Sequence, residues 1–441
     1  LEVLKLVKLE GEYNIVEISN TLPPYEYILK MKRIKNEAFL HKKIEKNEVS
    51  IEDMYNIGVQ IAKNLKEIET DGAFIEEHGS VKQITFNINE NFQQLENFKN
   101  KYFKEDFYDF IKKRTYEFME KNHELLTRRV EKGYIKDGHG DIRLEHIYFD
   151  SSNYGIIDCI EFNKRFRCND VVADFVFLCM ELDEKGYIDL SDSALSGFLS
   201  VLNDNDTKNL INFYKCYRAL VRVKVNCFLI DEKGSSWEHY ETKIKEIERL
   251  ICLAYSYALN MEKAITLVFY GLSGSGKSKN AKYFADTFGC AYFNTDMCRK
   301  EMFNMKAYEK HYVPFGSSIY SESNTLKVYY YLGEKAYNKG LIGRLTVIDG
   351  TFLKKLYVDT LMNKRNLNVF KIKCEASINE LRNRLKKRTL EKSISDGRIE
   401  ILDEQCRISE DINFDFLLNT ENSLENHPIL IANALADQNE E

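Results

Sequence analysis

No two of the ten cysteines stand in a Cys-x-x-Cys pair. They are scattered from Cys159 to Cys406 in a chain far larger than a disulfide-stapled secreted domain, which predicts reduced thiols and a cytoplasmic protein. The eight histidines do not cluster with them at metal spacing, which argues against a structural zinc site. No apolar run reaches the roughly 18 uncharged residues of a membrane helix. No basic stretch followed by an apolar one opens the chain, so neither a membrane partner nor a signal peptide is expected. An excess of positive charge is also missing: 63 Lys and Arg against 69 Asp and Glu give a net charge of −6. That balance does not favour a protein whose main work is gripping a nucleic-acid backbone, although a local basic cleft is compatible with it. Proline is scarce, at four residues; with the abundance of Lys, Ile, Asn and Tyr this reads as base-composition bias and carries no function. The chain opens on Leu1 rather than Met, as a processed or truncated product would. Oligomeric state has no signature here.

What is present is an ordinary globular balance, 44% hydrophobic and 30% charged, over 441 residues, enough for two or three domains with cores of their own. Residues 1–32 alternate between apolar and polar around Pro23-Pro24, as a short antiparallel pair does. From about Ile34 to Lys132 the apolar spacing becomes helical. Strand-like runs return at Ile147-Tyr-Phe and Gly155-Ile-Ile-Asp-Cys-Ile, and a second helical stretch covers about Val171 to Glu262. At Ile265-Thr-Leu-Val-Phe-Tyr270 the composition changes to that of a buried parallel strand. Further strands are predicted at 291–295, 345–349 and 368–373, separated by helical spacing. The fold class is therefore α/β: a parallel sheet with flanking helices at the C-terminus, preceded by a mainly helical domain with short β-hairpins. The boundary falls between residues 260 and 261, giving domains 1–260 and 261–441. No Gly/Ser linker separates them, so they are expected to pack directly.

The strongest signal is Gly271-Leu272-Ser273-Gly274-Ser275-Gly276-Lys277-Ser278, a GxxxxGK[ST] loop between that strand and a helical stretch, Lys277–Phe288. Glycines let such a loop curl its backbone N–H groups toward phosphates, and the following helix adds its positive end. Lys277 would reach the β/γ-phosphates of ATP and Ser278 would hold Mg²⁺. Asp296, after the second strand, is placed to face an acceptor hydroxyl or to cap the next helix. Asp349, ending Thr346-Val-Ile-Asp, is placed to assist Mg²⁺ or to cap. Arg382, Arg384, Lys386, Lys387 and Arg388, ahead of Ser395-Asp-Gly, suit a lid helix that brings guanidinium groups to a transferring phosphoryl, or a plain solvated face.

With these pieces in place, residues 264–435 resemble the small P-loop kinases of the gluconate kinase, polynucleotide kinase and zeta-toxin group. The resemblance rests on the glycine loop, Thr295-Asp296…Arg299-Lys300 and Val347-Ile-Asp-Gly-Thr-Phe352. It implies acceptor contact by Asp296, a substrate contact at Arg299 and, more loosely, lid roles for Arg384 and Arg388.

In the first half, Gly138-His139-Gly140-Asp141 is followed seventeen residues later by Asp158, each beside a strand-like run. Two carboxylates at the ends of neighbouring strands can flank one metal–phosphate site. The pair resembles the catalytic loop and metal-binding aspartate of aminoglycoside phosphotransferase-like kinases, which implies a base at Asp141 and a Mg²⁺ ligand at Asp158. Two departures stand out: His146 occupies the position of a second oxygen ligand, and about thirty residues leave no room for the nucleotide-binding small lobe. The wider segments Asp137–His146, Ile157–Asn163 and Asp170–Asp174, with Tyr217–Lys224, resemble two-part proteins that join such a domain to a P-loop kinase or ATPase. An active second kinase, a substrate-binding or regulatory module, and a structural remnant all stay open for this half.

Together these features imply an ATP- and Mg²⁺-dependent kinase acting on a hydroxyl of an unidentified small polar substrate. A polynucleotide 5′-kinase and an ATP-binding switch without a small-molecule acceptor are the alternatives.

Overall fold

The computed structural model describes residues 2–150, 153–202, 205–306, 309, 316–363, 365–388 and 399–438. By its contacts the chain divides into two units, Leu1–Val49 with Leu144–Ile157, and Ser50–Arg143 with Asp158–Glu441.

In the first unit, the alternating runs Glu2–Leu9 (β1), Glu12–Glu17 (β2) and Glu26–Lys30 (β3) form an antiparallel sheet in the order β2-β1-β3. Leu6 faces Ile15 across one side of β1 and Leu4 faces Ile28 across the other. The expected pair is thus a three-stranded sheet, because the segment after the prolines pairs with the free edge of β1. A short helix, Leu40–Glu45 (α1), and a hairpin of Ile147–Asp150 (β4) with Asn153–Ile156 (β5) complete this unit. The second strand of the hairpin ends at Ile156, earlier than expected; two residues later Asp158 adopts φ 66°.

The second unit holds both the helical region and the P-loop. Helix Ile51–Glu67 (α2) starts with a capping box, Ser50 and Asp53 each bonding the other's backbone N–H. Helices continue to residue 131. Val171–Glu184 (α3) is capped by Asp170, whose carboxylate accepts Val172 N–H at 2.9 Å. Its side chains from Val171 to Asp183 are all buried, as befits a helix at the centre of a bundle. Ile188–Val201 (α4), Asn205–Lys233 (α5) and Tyr240–Leu259 (α6) pack around it. Helices α2 and α4 approach so closely that a Cβ at Gly197 would lie 2.0 Å from the Tyr55 carbonyl oxygen. Among the described residues, no helix is long and apolar enough to cross a membrane.

The C-terminal part of this unit is a five-stranded parallel sheet. Its strands are Ile265–Tyr270 (β6), Ala291–Asn294 (β7), Thr346–Gly350 (β8), Asn368–Glu375 (β9) and Phe416–Asn419 (β10), in the order β10-β9-β6-β8-β7. Strands β6 and β8 are buried along their whole length, which explains their unbroken apolar character. Helices Lys277–Phe288 (α7), Thr295–Met302 (α8), Glu322–Gly340 (α9), Ile378–Arg388 (α10) and Ile399–Ile408 (α11) flank the sheet. This is the P-loop NTPase fold. The connection after β6 runs to the β7–β8 side and that after β9 to the opposite side. The carboxyl ends of β6 and β9 therefore flank the switch point at which open α/β sheets bind ligands.

Helical region and sheet are joined by buried charge. Arg344, just ahead of β8, donates from Nε to Asp192 at 2.9 Å and from Nη2 to Asp183 at 2.9 Å. The other oxygen of Asp183 accepts from Lys215 at 2.9 Å and from the Tyr257 hydroxyl at 2.7 Å. Despite complete burial, Asp183 is held well below the usual carboxylate range by Arg344 and Lys215. The expected boundary at residues 260–261 lies in the short turn between α6 and β6, where Asn260 Oδ1 accepts Ile265 N–H at 3.0 Å.

Candidate active site

The glycine loop sits at the switch point because β6 delivers it there and only small residues fit. Gly271 has φ 146°, and a Cβ on it would lie 2.5 Å from the Cys374 carbonyl oxygen at the end of β9. Gly276, at φ 82°, turns the chain into α7 and presses against Thr420, where a Cβ would meet its side chain at 3.2 Å. The loop is held from below. Thr420 Oγ1 donates to the Ser275 carbonyl at 2.8 Å, and the Ser273 N–H donates to Gln405 Oε1 at 2.9 Å. Lys277 Nζ donates to the Leu272 carbonyl at 3.2 Å, so the lysine folds over the loop it follows. The Ser275 hydroxyl is buried without a hydrogen-bond partner among the described residues.

Asp349 is buried at the carboxyl end of β8. Its Oδ1 accepts from Asn294 Nδ2 at 2.7 Å and from the Tyr292 hydroxyl at 3.2 Å. Its Oδ2 has no hydrogen-bond partner of ordinary geometry among the described residues. Burial pushes this carboxyl up to about 6, opposed by the Ser278 hydroxyl, the Lys277 ammonium and the Asn294 amide, and reinforced by the charge of Asp296. Lys277, Ser278 and Asp296 thus all act on the charge of Asp349. Asp296 does not cap α8. That role belongs to Asn294, whose side chain accepts Met297 N–H at 2.9 Å, leaving Asp296 half-buried in the first turn.

Arg384 lies beneath the loop: Nη1 donates to Thr420 Oγ1 at 2.9 Å and to the Gly274 carbonyl at 3.4 Å, and Nη2 to the Thr420 carbonyl at 2.9 Å. Glu380, one turn earlier on α10, accepts from its Nε at 2.7 Å. The side chain of Arg388 and the Ser395-Asp-Gly segment lie outside the described residues. Arg299, one turn after Asp296, is only 5% exposed. It donates to the Ile319 carbonyl at 2.8 Å and to Thr325 Oγ1 at 3.2 Å, and stacks over Tyr320. No carboxylate pairs with it among the described residues, and its Nε is buried without a partner.

The aspartates of the first half, Asp141 and Asp158, belong to the same unit. The buried carboxylate of Asp174 accepts the N–H groups of His139 at 2.7 Å and Gly140 at 2.8 Å, fixing the Gly138–Asp141 loop to α3. Burial raises Asp174, with Arg218 opposing. Asp141 lies 4.0 Å from Arg143, and Asp158 is exposed. His146 belongs to the first unit.

Asn294, Tyr292, Thr420 and Gln405 were not foreseen as site residues. The first two border the Thr295-Asp296 motif, and an Asn before a helix is a capping signal. Thr420 follows a strand that itself was not foreseen.

Residues 267–409 match the family model of the AAA domain. Uncharacterised proteins of Mycobacterium tuberculosis and Mycobacterium bovis are 26% identical over 319 residues, covering 70% of this chain and 62% of their own length. The match therefore spans less than two thirds of those relatives. Among solved structures, a sugar kinase from Janibacter sp. covers 39% of this chain and 94% of its own, at 20% identity and a TM-score of 0.33. A gluconokinase from Sinorhizobium meliloti covers 40% of this chain and 94% of its own, at 18% and 0.30. The APS kinase of Mycobacterium tuberculosis, solved with AMPPNP and APS, covers 39% of this chain and 98% of its own, at 17% and 0.31.

Proposed function

We propose that the chain is an ATP- and Mg²⁺-dependent phosphotransferase, acting through its P-loop domain on a hydroxyl of a small polar substrate. The observation that carries this reading is Asp349. A carboxylate buried with one oxygen unpartnered, beside the P-loop serine and lysine, is costly unless a cation is to join it. The oxygen donors fit Mg²⁺, which takes one or two protein oxygens and completes its shell from phosphates and water. Asp349 and Ser278 would hold it, and the bound ion would neutralise charge on the phosphate oxygens.

The other roles follow from position. The loop N–H groups and Lys277 cradle the phosphates, and Arg384 keeps the loop in shape through the carbonyls of Gly274 and Thr420. Asp296, in the first turn of α8, orients the acceptor hydroxyl and receives its proton. Arg299 adds a constraint on the acceptor. A buried guanidinium without an anionic partner among the described residues supports a substrate that carries a negative group as well as its hydroxyl. Asp141 and Asp158 stand apart from this machinery in the reading.

The test is transfer of labelled γ-phosphate to matched neutral and anionic hydroxyl compounds. Lys277→Ala should abolish transfer, and Arg299→Gln should raise KM for the anionic acceptor more than it lowers kcat. Equal rates for the parent and Lys277→Ala would remove the proposal.

A further inference from the structure

One side chain at this site belongs to neither β8 nor the acceptor helix α8, yet bonds to both. Asn294 ends β7. Its amide Nδ2 donates to Asp349 Oδ1 at 2.7 Å, and its Oδ1 accepts the Met297 N–H at 2.9 Å. Both functional ends of the side chain are therefore engaged, one on the metal side and one on the helix that carries Asp296. Tyr292, two residues earlier on the same strand, donates to the same Asp349 oxygen at 3.2 Å. With Oδ1 occupied twice, Oδ2 is the oxygen left without a partner of ordinary geometry among the described residues.

We propose that Asn294 is a positioning residue for the divalent cation: its amide pins one oxygen of Asp349 so that the other is presented to the ion, while its carbonyl oxygen starts the helix bearing Asp296. This rests on the reading of the P-loop as a Mg·ATP site. A carboxylate free to rotate offers its two oxygens in many orientations, whereas one fixed by a hydrogen-bond donor is pre-organised for its ligand. The same side chain thus bonds the metal-side carboxylate on β8 through its amide and the start of the helix that carries Asp296 through its carbonyl oxygen.

The two functions separate by substitution. Asn294→Ser retains an oxygen that caps α8 but is too short to reach Asp349. Asn294→Ala loses both. The measurement is ATP affinity of the full chain by titration calorimetry across a Mg²⁺ series and in EDTA, with thermal unfolding in parallel. Both variants should need about tenfold more Mg²⁺ for half-maximal tightening of ATP binding, the scale set by lost support of a metal ligand. Their affinity for ATP in EDTA should match the parent, and Asn294→Ala should melt below Asn294→Ser. Tyr292→Phe should shift the Mg²⁺ requirement in the same direction by less. An unchanged Mg²⁺ requirement in Asn294→Ser, with the parent Mg²⁺-dependent and Lys277→Ala unable to bind, overturns the role of Asn294 alone. A parent whose ATP binding ignores Mg²⁺, or that binds no ATP, overturns the site reading and this inference together.

Discussion

Replacing Asp349 with Asn should stabilise the protein and destroy its metal-dependent nucleotide binding. The carboxyl is raised from 3.8 to about 6, a difference of about two units. At about 1.4 kcal/mol per unit, the charged form costs the folded state about 3 kcal/mol. Because the folded value lies above the unfolded one, the folded protein binds the extra proton between them. The cost is absent below about pH 4, grows as pH rises toward 6 and is complete above that. Asn has the same shape and no charge, and its Oδ1 can still accept from Asn294 and Tyr292. Urea unfolding in EDTA without nucleotide should therefore show Asp349→Asn more stable than the parent by about 3 kcal/mol at pH 8, with the gap closing by pH 4. Mg²⁺ should tighten ATP binding to the parent and not to the variant. A variant no more stable than the parent at pH 8 would show that the buried carboxylate is already compensated, and the argument for an awaited cation would fail.

Further outcomes follow from the same geometry. Gly276→Ala forces a Cβ into φ 82° and against Thr420; it should cost about 1–3 kcal/mol of stability and weaken ATP binding measured by calorimetry. Arg384→Lys keeps the charge but cannot reach Gly274, Thr420 and Glu380 at once, so KM for ATP should rise about tenfold, equivalent to about 1.4 kcal/mol. Arg344→Met leaves Asp183 and Asp192 without their shared guanidinium; losing a buried partner should cost about 3–5 kcal/mol in urea unfolding. Because the network joins α3 and α4 to β8, helical and nucleotide-binding signals should then melt at different urea concentrations, where the parent shows one transition.

The P-loop strand and helix were legible because they obey local rules: six apolar residues in a row for β6, and glycines at both ends of α7 where the backbone turns left-handed. Asp296 and Asp349 were legible as residues near strand ends; the chain places Asp296 in the first turn of α8 and Asp349 on β8. Strand β10 was not, since in Phe416-Leu-Leu-Asn only Leu418 is buried and an edge strand needs no alternation. The support under the loop was equally hidden. Thr420, Gln405 and Arg384 come from three segments more than a hundred residues beyond the loop, and only the tertiary fold places them. Arg384 shows the limit of charge patterns: a basic helical face predicts cations but not whether one of them turns inward to bond carbonyls. Likewise, nothing local distinguishes Arg299 as buried, because its cover of Tyr320 and Thr325 lies some twenty residues on.

The most direct test is the fate of the γ-phosphate. The full chain, supplied with γ-labelled ATP and Mg²⁺, should place label on a small hydroxyl compound bearing a negative group, and Lys277→Ala and Asp296→Asn should each abolish that transfer. Label that stays on ATP or appears only as inorganic phosphate across neutral and anionic small acceptors, or that passes to a 5′-hydroxyl oligonucleotide instead, would contradict the account.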